Sequence, residues 1–349
     1  MPPATRLIHT DDRGPGLRRV RKGRGFAYLD PQGRALRDRA EIDRIRKLAI
    51  PPAYTQVWIC PRPDGHLQAT GRDARGRKQY RYHPEWRRVR DDGKFDRLVE
   101  FGRALPRIRA RVATDLAATP PTRATVVATL VRLLDATFVR IGNPQYAREN
   151  GSYGLTTLKP RHADVSRDAV RLHFKGKSGI EHDVRLDDPR VARIVRRCRQ
   201  LPGQQLFTWR DERGEITPVG SAEVNDYIAD AAGADAPRFT AKDFRTWHGS
   251  VLALELAGGT EPLTAPQIVK QVAERLRNTA AVCRKSYIHP SVLEHCARRL
   301  AQDGEAAGVE RTAAPRRAAG LAAAERRLLE LLSPRPRGRR AAPPACSLP

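Results

Sequence analysis

The sequence is poor in cysteine and has no long apolar run. Its 349 residues include only five cysteines, an odd number without C-x-x-C spacing, which argues against a disulfide framework and against a zinc ribbon. No apolar stretch approaches the roughly 18 residues of a membrane span, and the first residues lack the apolar segment of a secretory signal. These absences predict a soluble protein of the cytoplasm.

Two cofactor patterns are also missing. Gly176, Lys177 and Ser178 end like the phosphate-binding motif G-x-x-x-x-G-K-S, but Arg171 stands where the first glycine of that motif is required. The flanking residues also predict two strands instead of a strand and a helix. The chain has no acidic cluster of the kind that holds a divalent metal. We therefore expect neither a nucleotide cofactor nor a metal.

Negative charge is scarce as well. The chain has 39 Asp+Glu against 65 Lys+Arg, which gives a formal net charge of +26. Such an excess is typical of proteins that bind nucleic acids, although ribosomal and histone-like proteins share it. Arginine supplies most of the positive charge and does not release a proton near neutral pH. Each of the few lysines is therefore of interest as a proton donor.

The first 93 residues predict a small β-rich domain. Runs at 26–29, 57–60 and 66–70 have the composition of strands and are separated by turns that contain proline, glycine and aspartate. Apolar positions between 42 and 49 have the spacing of one face of a short amphipathic helix. We expect two hairpins with a helix between them, and an α+β fold class for the whole chain.

Residues 94–305 predict a mostly α-helical domain. Thr119 and Pro120 resemble a helix start, and dense apolar positions over 126–141 predict a buried helix with Arg140 at its C-terminal end. The sequence predicts further helices at 188–199, 221–232, 242–257, 266–275 and 290–302. The tail at 306–349 is rich in alanine, arginine and proline, and we expect it to be largely disordered apart from a short helix at 320–332.

One strand pair interrupts these helices. Residues 170–174 alternate between apolar and polar, residues 180–186 return in the same way, and a Gly-Lys-Ser-Gly turn lies between them. The pattern predicts a β-hairpin insertion with Lys177 at its tip.

Four local clusters carry candidate chemistry, and a fifth string lies in the β-rich domain. They are Phe138-Val-Arg140-Ile-Gly142-Asn143, Gly176-Lys177-Ser178-Gly179, Lys242-Asp-Phe-Arg245-Thr-Trp247, Asn278-Thr-Ala-Ala-Val-Cys-Arg284-Lys285-Ser286-Tyr287 and Gly71-Arg-Asp-Ala-Arg-Gly-Arg-Lys78-Gln79-Tyr80-Arg-Tyr82. In this order and separation they resemble the type IB DNA topoisomerases, above all the compact bacterial and poxvirus-type members. The resemblance runs from about residue 16 to about residue 302.

The resemblance implies a role for each candidate residue. Tyr287 would attack a DNA phosphate and form a 3′-phosphotyrosyl bond, while Arg140 and Arg245 grip the non-bridging oxygens of that phosphate. Lys177 would protonate the departing 5′ oxygen, which an ammonium can do and a guanidinium cannot. Asn278 stands where poxvirus-type members have histidine and bacterial members have asparagine. Taken singly, the two arginines and Lys177 are more simply explained as surface cations, and Tyr287 as an interfacial aromatic.

The resemblance also implies how the chain meets its partner. Gln79, Tyr80 and Tyr82 match positions that contact DNA in poxvirus-type enzymes, although ordinary strand alternation with exposed tyrosines explains them equally well. The two domains would form a clamp around duplex DNA. We expect a nucleoid-associated monomer that relaxes supercoils without ATP or metal.

Two other functions remain open at this point. Tyrosine recombinases use a similar catalytic set, but they usually carry His-x-x-Arg where this chain has Lys242-Asp-Phe-Arg245, and their N-terminal domain is normally helical. A non-enzymatic basic DNA-packaging protein would bind supercoiled plasmid without changing its linking number.

Overall fold

The computed structural model describes residues 7–86, 95–119, 121–259, 263–303 and 320–333. The chain divides into two compact units, of which the first is Met1–Asp96 with Gln145–Gly151 and the second is Arg97–Pro144 with Ser152–Pro349. The boundaries predicted near residues 93 and 305 lie outside the described residues. Among the described helices, none is long and apolar enough to span a membrane.

The first unit is built on a five-stranded antiparallel sheet with the strand order β2-β1-β3-β4-β5. Its elements in chain order are β1 (Leu17–Lys22), β2 (Gly25–Leu29), α1 (Arg39–Lys47), β3 (Thr55–Ile59), β4 (Leu67–Arg72) and β5 (Lys78–Tyr82). The Asp38 carboxylate accepts hydrogen bonds from the first turn of α1, as expected of an N-cap. Ile45 of α1 packs with Leu17, Val57, Ile59 and Ala69 in a small core.

The second unit is mostly helical, with two small β elements. After β5 the chain forms α2 (Leu98–Ala117), α3 (Arg123–Thr137), α4 (Pro144–Asn150), β6 (Ala163–Val165), β7 (Ala169–Lys175), β8 (Glu181–Asp187), α5 (Pro189–Gln200), β9 (Thr208–Arg210), β10 (Ile216–Pro218), α6 (Ser221–Ala232), α7 (Ala241–Ala257), α8 (Ala265–Arg275), α9 (Ala280–Ser286), α10 (Pro290–Asp303) and α11 (Ala323–Leu332). Helix α4 groups with the first unit. The predicted α+β class, with a β-rich N-terminal region and a mostly helical body, is confirmed.

Helix α7 runs through the core of the second unit. Phe244 and Trp247 on this helix are fully buried, and the ring centroids of Phe101 and Phe244 lie 5.1 Å apart in an edge-on arrangement. Burying an aromatic side chain of this size stabilises the fold by roughly 1.5–3 kcal/mol. Because α7 is held on nearly all sides, it provides a rigid support for any functional group that it carries.

The helix predicted over 126–141 ends earlier than its apolar pattern indicates. Thr122 caps its start through the backbone N–H of Thr125, so Thr119 and Pro120 are not the start signal. Phe138, with φ 59°, leaves the helix in the left-handed region. Val139 is buried outside the helix, which explains why the apolar run continues. The prediction that Arg140 ends the helix is therefore wrong, since Arg140 lies in an irregular segment beyond it.

The short helix expected in the tail is present as α11, but it is part of the core. Leu328 is fully buried, and Glu325 is only 4% exposed. Gly102 on α2 makes room for this packing, because a Cβ there would lie 3.1 Å from a methyl carbon of Leu329. The rest of the predicted disordered tail, at 306–319 and 334–349, lies outside the described residues.

Candidate active site

Tyr287 and two of the predicted arginines come together in the second unit. Tyr287 directly follows α9, and its backbone N–H donates to the Cys283 carbonyl at 2.9 Å. The guanidinium carbon of Arg245 lies 4.9 Å from the centroid of the Tyr287 ring. The charge of Arg140 also acts on the phenol. Residues separated by more than 100 positions in the sequence thus share one site.

Arg245 is fixed between the ends of two helices. Its side chain is buried, its Nη1 donates to the carbonyl of Phe138 after α3, and its Nη2 donates to the carbonyl of Leu276 after α8 at 2.8 Å. Helix C-termini carry partial negative charge, so both ends favour a cation. A guanidinium has five N–H donors, so Arg245 can make these two contacts and still donate a hydrogen bond to the Tyr287 phenol.

The arginines change the acidity of the phenol. Burial by itself raises the pKa of Tyr287, but the charge of Arg245 and its hydrogen bond to the phenol, together with the charge of Arg140, outweigh burial. The pKa of Tyr287 therefore lies below its ordinary value of about 10. Burial raises the pKa of the nearby Cys283 thiol to about 11 in spite of the same charges. Among these two groups, the site favours the phenol as nucleophile.

The predicted site residues carry buried donors that no described residue satisfies. They are Nη1 of Arg140, Nε of Arg245 and Nδ2 of Asn278. A buried donor without a partner costs about 1–3 kcal/mol, so three of them favour a ligand rich in acceptor oxygens. Burial and then the charge of Arg245 lower the pKa of Arg140, which means that the two cations repel each other. A bound phosphate would offset both costs.

The irregular segment that carries Arg140 is held by its backbone. The Arg140 carbonyl accepts from the N–H of Leu155 at 2.9 Å, and the Ile141 carbonyl accepts from Thr156 at 2.8 Å. Gly154 lies so close that a Cβ at this position would be 2.6 Å from the Arg140 carbonyl oxygen. This segment is therefore as well fixed as a helix terminus.

Asn278 follows α8 in a tight turn. Its N–H donates to the Ala273 carbonyl at 2.9 Å, and the preceding Arg277 has φ 50°, in the left-handed region. The turn begins directly after Leu276, whose carbonyl holds Arg245. Asn278 is thus tied to the site through its backbone neighbours.

Lys177 lies in the turn between β7 and β8, as predicted. Its side chain is exposed, and within the described residues it has no hydrogen bond or ion pair. The turn rests on His182, since a Cβ on Gly176 would be 2.6 Å from that ring. Burial, followed by the charges of Arg140 and Arg245, lowers the pKa of His182 to about 4. The base of the hairpin is therefore within electrostatic reach of the arginines, whereas Lys177 itself does not contact them.

Two residues of α7 that the sequence analysis did not single out contact the backbone of Tyr287. The Ser250 hydroxyl donates to the Tyr287 carbonyl at 3.3 Å and accepts from the N–H of His289 at 2.9 Å. A Cβ on Gly249 would be 2.5 Å from the same carbonyl oxygen. Two small residues in succession on an otherwise bulky helix were the available signal. His182 was missed as well. Lys242 was named within its cluster but without a role, and its charge also lowers the pKa of Tyr287.

Gln79, Tyr80 and Tyr82 lie on β5 in the first unit. The Gln79 amide donates to a carboxylate oxygen of Asp73 at 2.9 Å, so one of its donors is already used. The rings of Tyr80 and Tyr82 are nearly parallel, with centroids 6.1 Å apart. The ammonium of Lys78 lies 5.6 Å from the Tyr80 centroid. This half-buried row therefore combines flat aromatic surface with a lysine whose ammonium is paired with the Asp12 carboxylate at 2.7 Å.

Comparison with known proteins identifies the family. A family model described as the catalytic core of eukaryotic DNA topoisomerase I matches residues 83–311, and one described as the N-terminal domain of bacterial DNA topoisomerase IB matches residues 25–73. DNA topoisomerase 1B of Acanthamoeba polyphaga mimivirus is 31% identical over 294 residues, which cover 80% of this chain and 87% of the relative. DNA topoisomerase 1B of Vaccinia virus (strain Copenhagen) is 23% identical over 256 residues, or 69% of this chain and 75% of the relative. The chain therefore belongs to the type IB DNA topoisomerases.

Proposed function

We propose that this enzyme relaxes supercoiled duplex DNA by cutting one strand through a 3′-phosphotyrosyl intermediate at Tyr287 and then resealing it. The observation that carries the proposal is the group of buried donors on Arg140, Arg245 and Asn278 that find no partner among the described residues. Two of these residues, Arg140 and Arg245, also lower the pKa of the phenol. Donors of this kind suit the extra negative charge of a pentacoordinate phosphate.

Cleavage begins with the Tyr287 hydroxyl. The phenol releases its proton to water, which its lowered pKa favours, and the phenolate oxygen then attacks phosphorus, so that negative charge accumulates on the non-bridging oxygens. Arg140 and Arg245 stabilise this charge, and the amide of Asn278 donates one further hydrogen bond. As an uncharged donor, Asn278 contributes less than a cation does.

The bond from phosphorus to the 5′ oxygen then breaks. That oxygen takes a proton from the Lys177 ammonium and leaves as a hydroxyl, while the phosphate stays esterified to Tyr287. Lys177 must approach the DNA for this step, which its position at an exposed hairpin tip allows. Rotation of the cut duplex releases torsional strain, and the reverse reaction reseals the strand. Because the ester preserves the bond energy, we propose that neither ATP nor a metal is needed.

The rest of the DNA contact is assigned to the first unit. We propose that Tyr80 and Tyr82 pack against the DNA backbone and that Gln79 reads a base edge, since a glutamine amide can bind adenine in the major groove. A clamp formed by the two units, a monomeric enzyme and a location at the nucleoid remain predictions from the sequence.

Incubation of supercoiled plasmid with catalytic amounts of protein in EDTA and without nucleotide tests the proposed function. We expect many plasmids to be relaxed per protein molecule. Binding without a change in linking number would overturn the proposal, and strand exchange between specific sites without general relaxation would favour a recombinase.

Replacement of Gly249 by alanine should slow cleavage about 100-fold, because a displacement of roughly 1 Å at a reacting group has an effect of this size. The added Cβ would push against the backbone of Tyr287. Overpacking should also destabilise the fold by about 1–3 kcal/mol. Single-turnover cleavage at saturating protein, measured well below the melting temperature, separates the two effects.

Gly258→Ala, directly after the same helix, is the matched control, since its Cβ would meet only ordinary contacts of 3.5–3.7 Å. Equal rates for the Gly249 and Gly258 variants would show that Gly249 does not set the position of the nucleophile.

A further inference from the structure

A buried cluster of charged residues joins α11 to the body of the second unit. Arg109 on α2 donates from Nε and Nη2 to Asp135, at 2.8 and 3.0 Å, and from Nη1 and Nη2 to Glu325, at 2.8 Å each. Asp135 is 8% exposed and Glu325 is 4% exposed. Hydrogen bonds from Arg109, which outweigh burial, lower the pKa of Glu325. Arg109 thus makes two hydrogen bonds to each carboxylate, and such bidentate pairs are geometrically specific as well as strong.

The same two carboxylates hold helix α7. An oxygen of Glu325 accepts from the indole N–H of Trp247 at 3.1 Å. An oxygen of Asp135 lies 2.9 Å from Nε2 of His248. Trp247 and His248 follow Arg245 by two and three positions, so the cluster fixes the rotation of α7 at the turn that carries this arginine.

A second path leads from the cluster to Arg245. The ring of His248 lies 4.7 Å from the ring of Phe138, and the carbonyl of Phe138 accepts from Arg245. Phe138 has a left-handed backbone, a conformation that costs an aromatic residue free energy and persists where its surroundings enforce it. The contact between the rings of His248 and Phe138 helps to hold the Phe138 backbone in this conformation.

Helix α11 lies beyond the part of the chain that the family model for the catalytic core matches, which ends at residue 311. It also lies in the segment that its composition marks as a tail. Its buried Glu325 is nevertheless connected to Arg245 in two ways. The first is direct contact with Trp247 on the same helix as Arg245. The second is a series of contacts that passes through Arg109, Asp135, His248 and Phe138.

We propose that Glu325 is a positioning residue for the cleavage reaction: with Arg109 and Asp135 it locks α7 so that Arg245 keeps the orientation required by the scissile phosphate. This inference rests on the proposed role of Arg245. Glu325 does not touch DNA or the reacting atoms and acts only through α7.

The test is Glu325→Gln, which keeps the size of the side chain but turns an amide group toward the donors of Arg109. We expect single-turnover cleavage to slow by about 10- to 100-fold, with DNA affinity unchanged. Glu330→Gln is the matched control, because Glu330 lies on the same helix and is exposed, and it should cleave at the normal rate. Equal rates for the two variants would overturn the proposal.

A double-mutant comparison shows whether the effect passes through Arg245. In an Arg245→Ala background, Glu325→Gln should slow cleavage less than about twofold, since residues acting as a unit are non-additive. In an Arg140→Ala background it should retain its full effect. A full additional loss on top of Arg245→Ala would assign Glu325 a merely structural role.

A readout without DNA separates this inference from the proposed function. Titration of the phenol, followed as the absorbance difference between each protein and its Tyr287→Phe counterpart, reports how close Arg245 is to Tyr287. Glu325→Gln should raise the pKa of Tyr287, whereas Glu330→Gln should not. If Glu325→Gln leaves the pKa of Tyr287 unchanged, the inference about Glu325 is wrong, even if the unmutated protein cleaves DNA normally. If the unmutated protein forms no covalent adduct with DNA, only the proposed function is wrong. If Glu325→Gln does not fold, Trp247→Phe removes the indole N–H and should raise the same pKa.

Discussion

Replacement of Tyr287 by phenylalanine is expected to abolish both plasmid relaxation and the covalent protein–DNA adduct. Only the phenolic oxygen of this residue can form the ester with phosphorus, and the nearby Cys283 thiol is held in its protonated form. DNA affinity should stay nearly constant, because contacts between phosphates and the many basic residues dominate binding. Denaturation of the complex followed by gel electrophoresis measures the adduct, and a filter-binding titration measures affinity.

Tyr227→Phe is the matched control. This tyrosine lies in the same unit and is also partly buried, but its hydroxyl donates to Asp115 at 2.7 Å. The control should form the adduct at the normal yield, with a loss of stability of about 1 kcal/mol for the hydrogen bond. An adduct that persists in Tyr287→Phe would mean that another residue is the nucleophile.

Replacement of Lys177 by arginine should slow cleavage by about 100- to 10,000-fold, the usual range for general acid catalysis. The substitution keeps the positive charge but replaces an ammonium with a guanidinium, which is a far weaker acid. A DNA substrate with sulfur in place of the bridging 5′ oxygen should restore most of the rate, because a thiolate leaves without being protonated. Single-turnover cleavage of the two substrates provides the measurement.

Two further variants serve as controls for this experiment. Lys175→Arg changes an exposed lysine of the same hairpin and should cleave both substrates normally. Arg140→Ala removes a group that stabilises charge in the transition state, so sulfur should restore less of its rate. If Lys177→Arg cleaves the ordinary substrate at full speed, or gains nothing from sulfur, the proton comes from a different group.

Much of the fold follows from local patterns in the sequence. Strands β2, β3 and β4 were predicted from alternation and turns, and helices α6 and α7 were predicted to within one residue of their bounds. The errors concern places where long-range contacts decide the structure. The apolar run through Val139 continues because this residue is buried, and not because the helix continues.

The same distinction applies to the site. The resemblance singled out Tyr287, Arg140 and Arg245, and the structure brings these three together. The resemblance could not indicate that Arg245 is held by the carbonyls of Phe138 and Leu276, which lie 107 and 31 positions away. Every residue type has a backbone carbonyl, so a contact made by such a carbonyl cannot be predicted from the sequence.

The tail shows the same limit: its sequence predicted the short helix, which is present as α11, but did not predict that this helix is buried. Alanine- and arginine-rich sequence is typical of disordered segments, and the buried Glu325 of α11 resembles any surface glutamate of a short amphipathic helix. Its partners Arg109 and Trp247 are 216 and 78 positions away. Burial of this glutamate becomes recognisable only when the three elements are assembled.

The most direct test of the account is the chemical identity of the bond between protein and DNA. The protein is denatured on a plasmid during relaxation in EDTA, both components are digested, and the nucleotide-bearing peptide is sequenced by mass spectrometry. We expect a peptide that contains Tyr287, joined through its phenolic oxygen to a 3′ phosphate, with a free 5′ hydroxyl on the other side of the break. Attachment at another residue, or at a 5′ phosphate, would contradict the proposed mechanism.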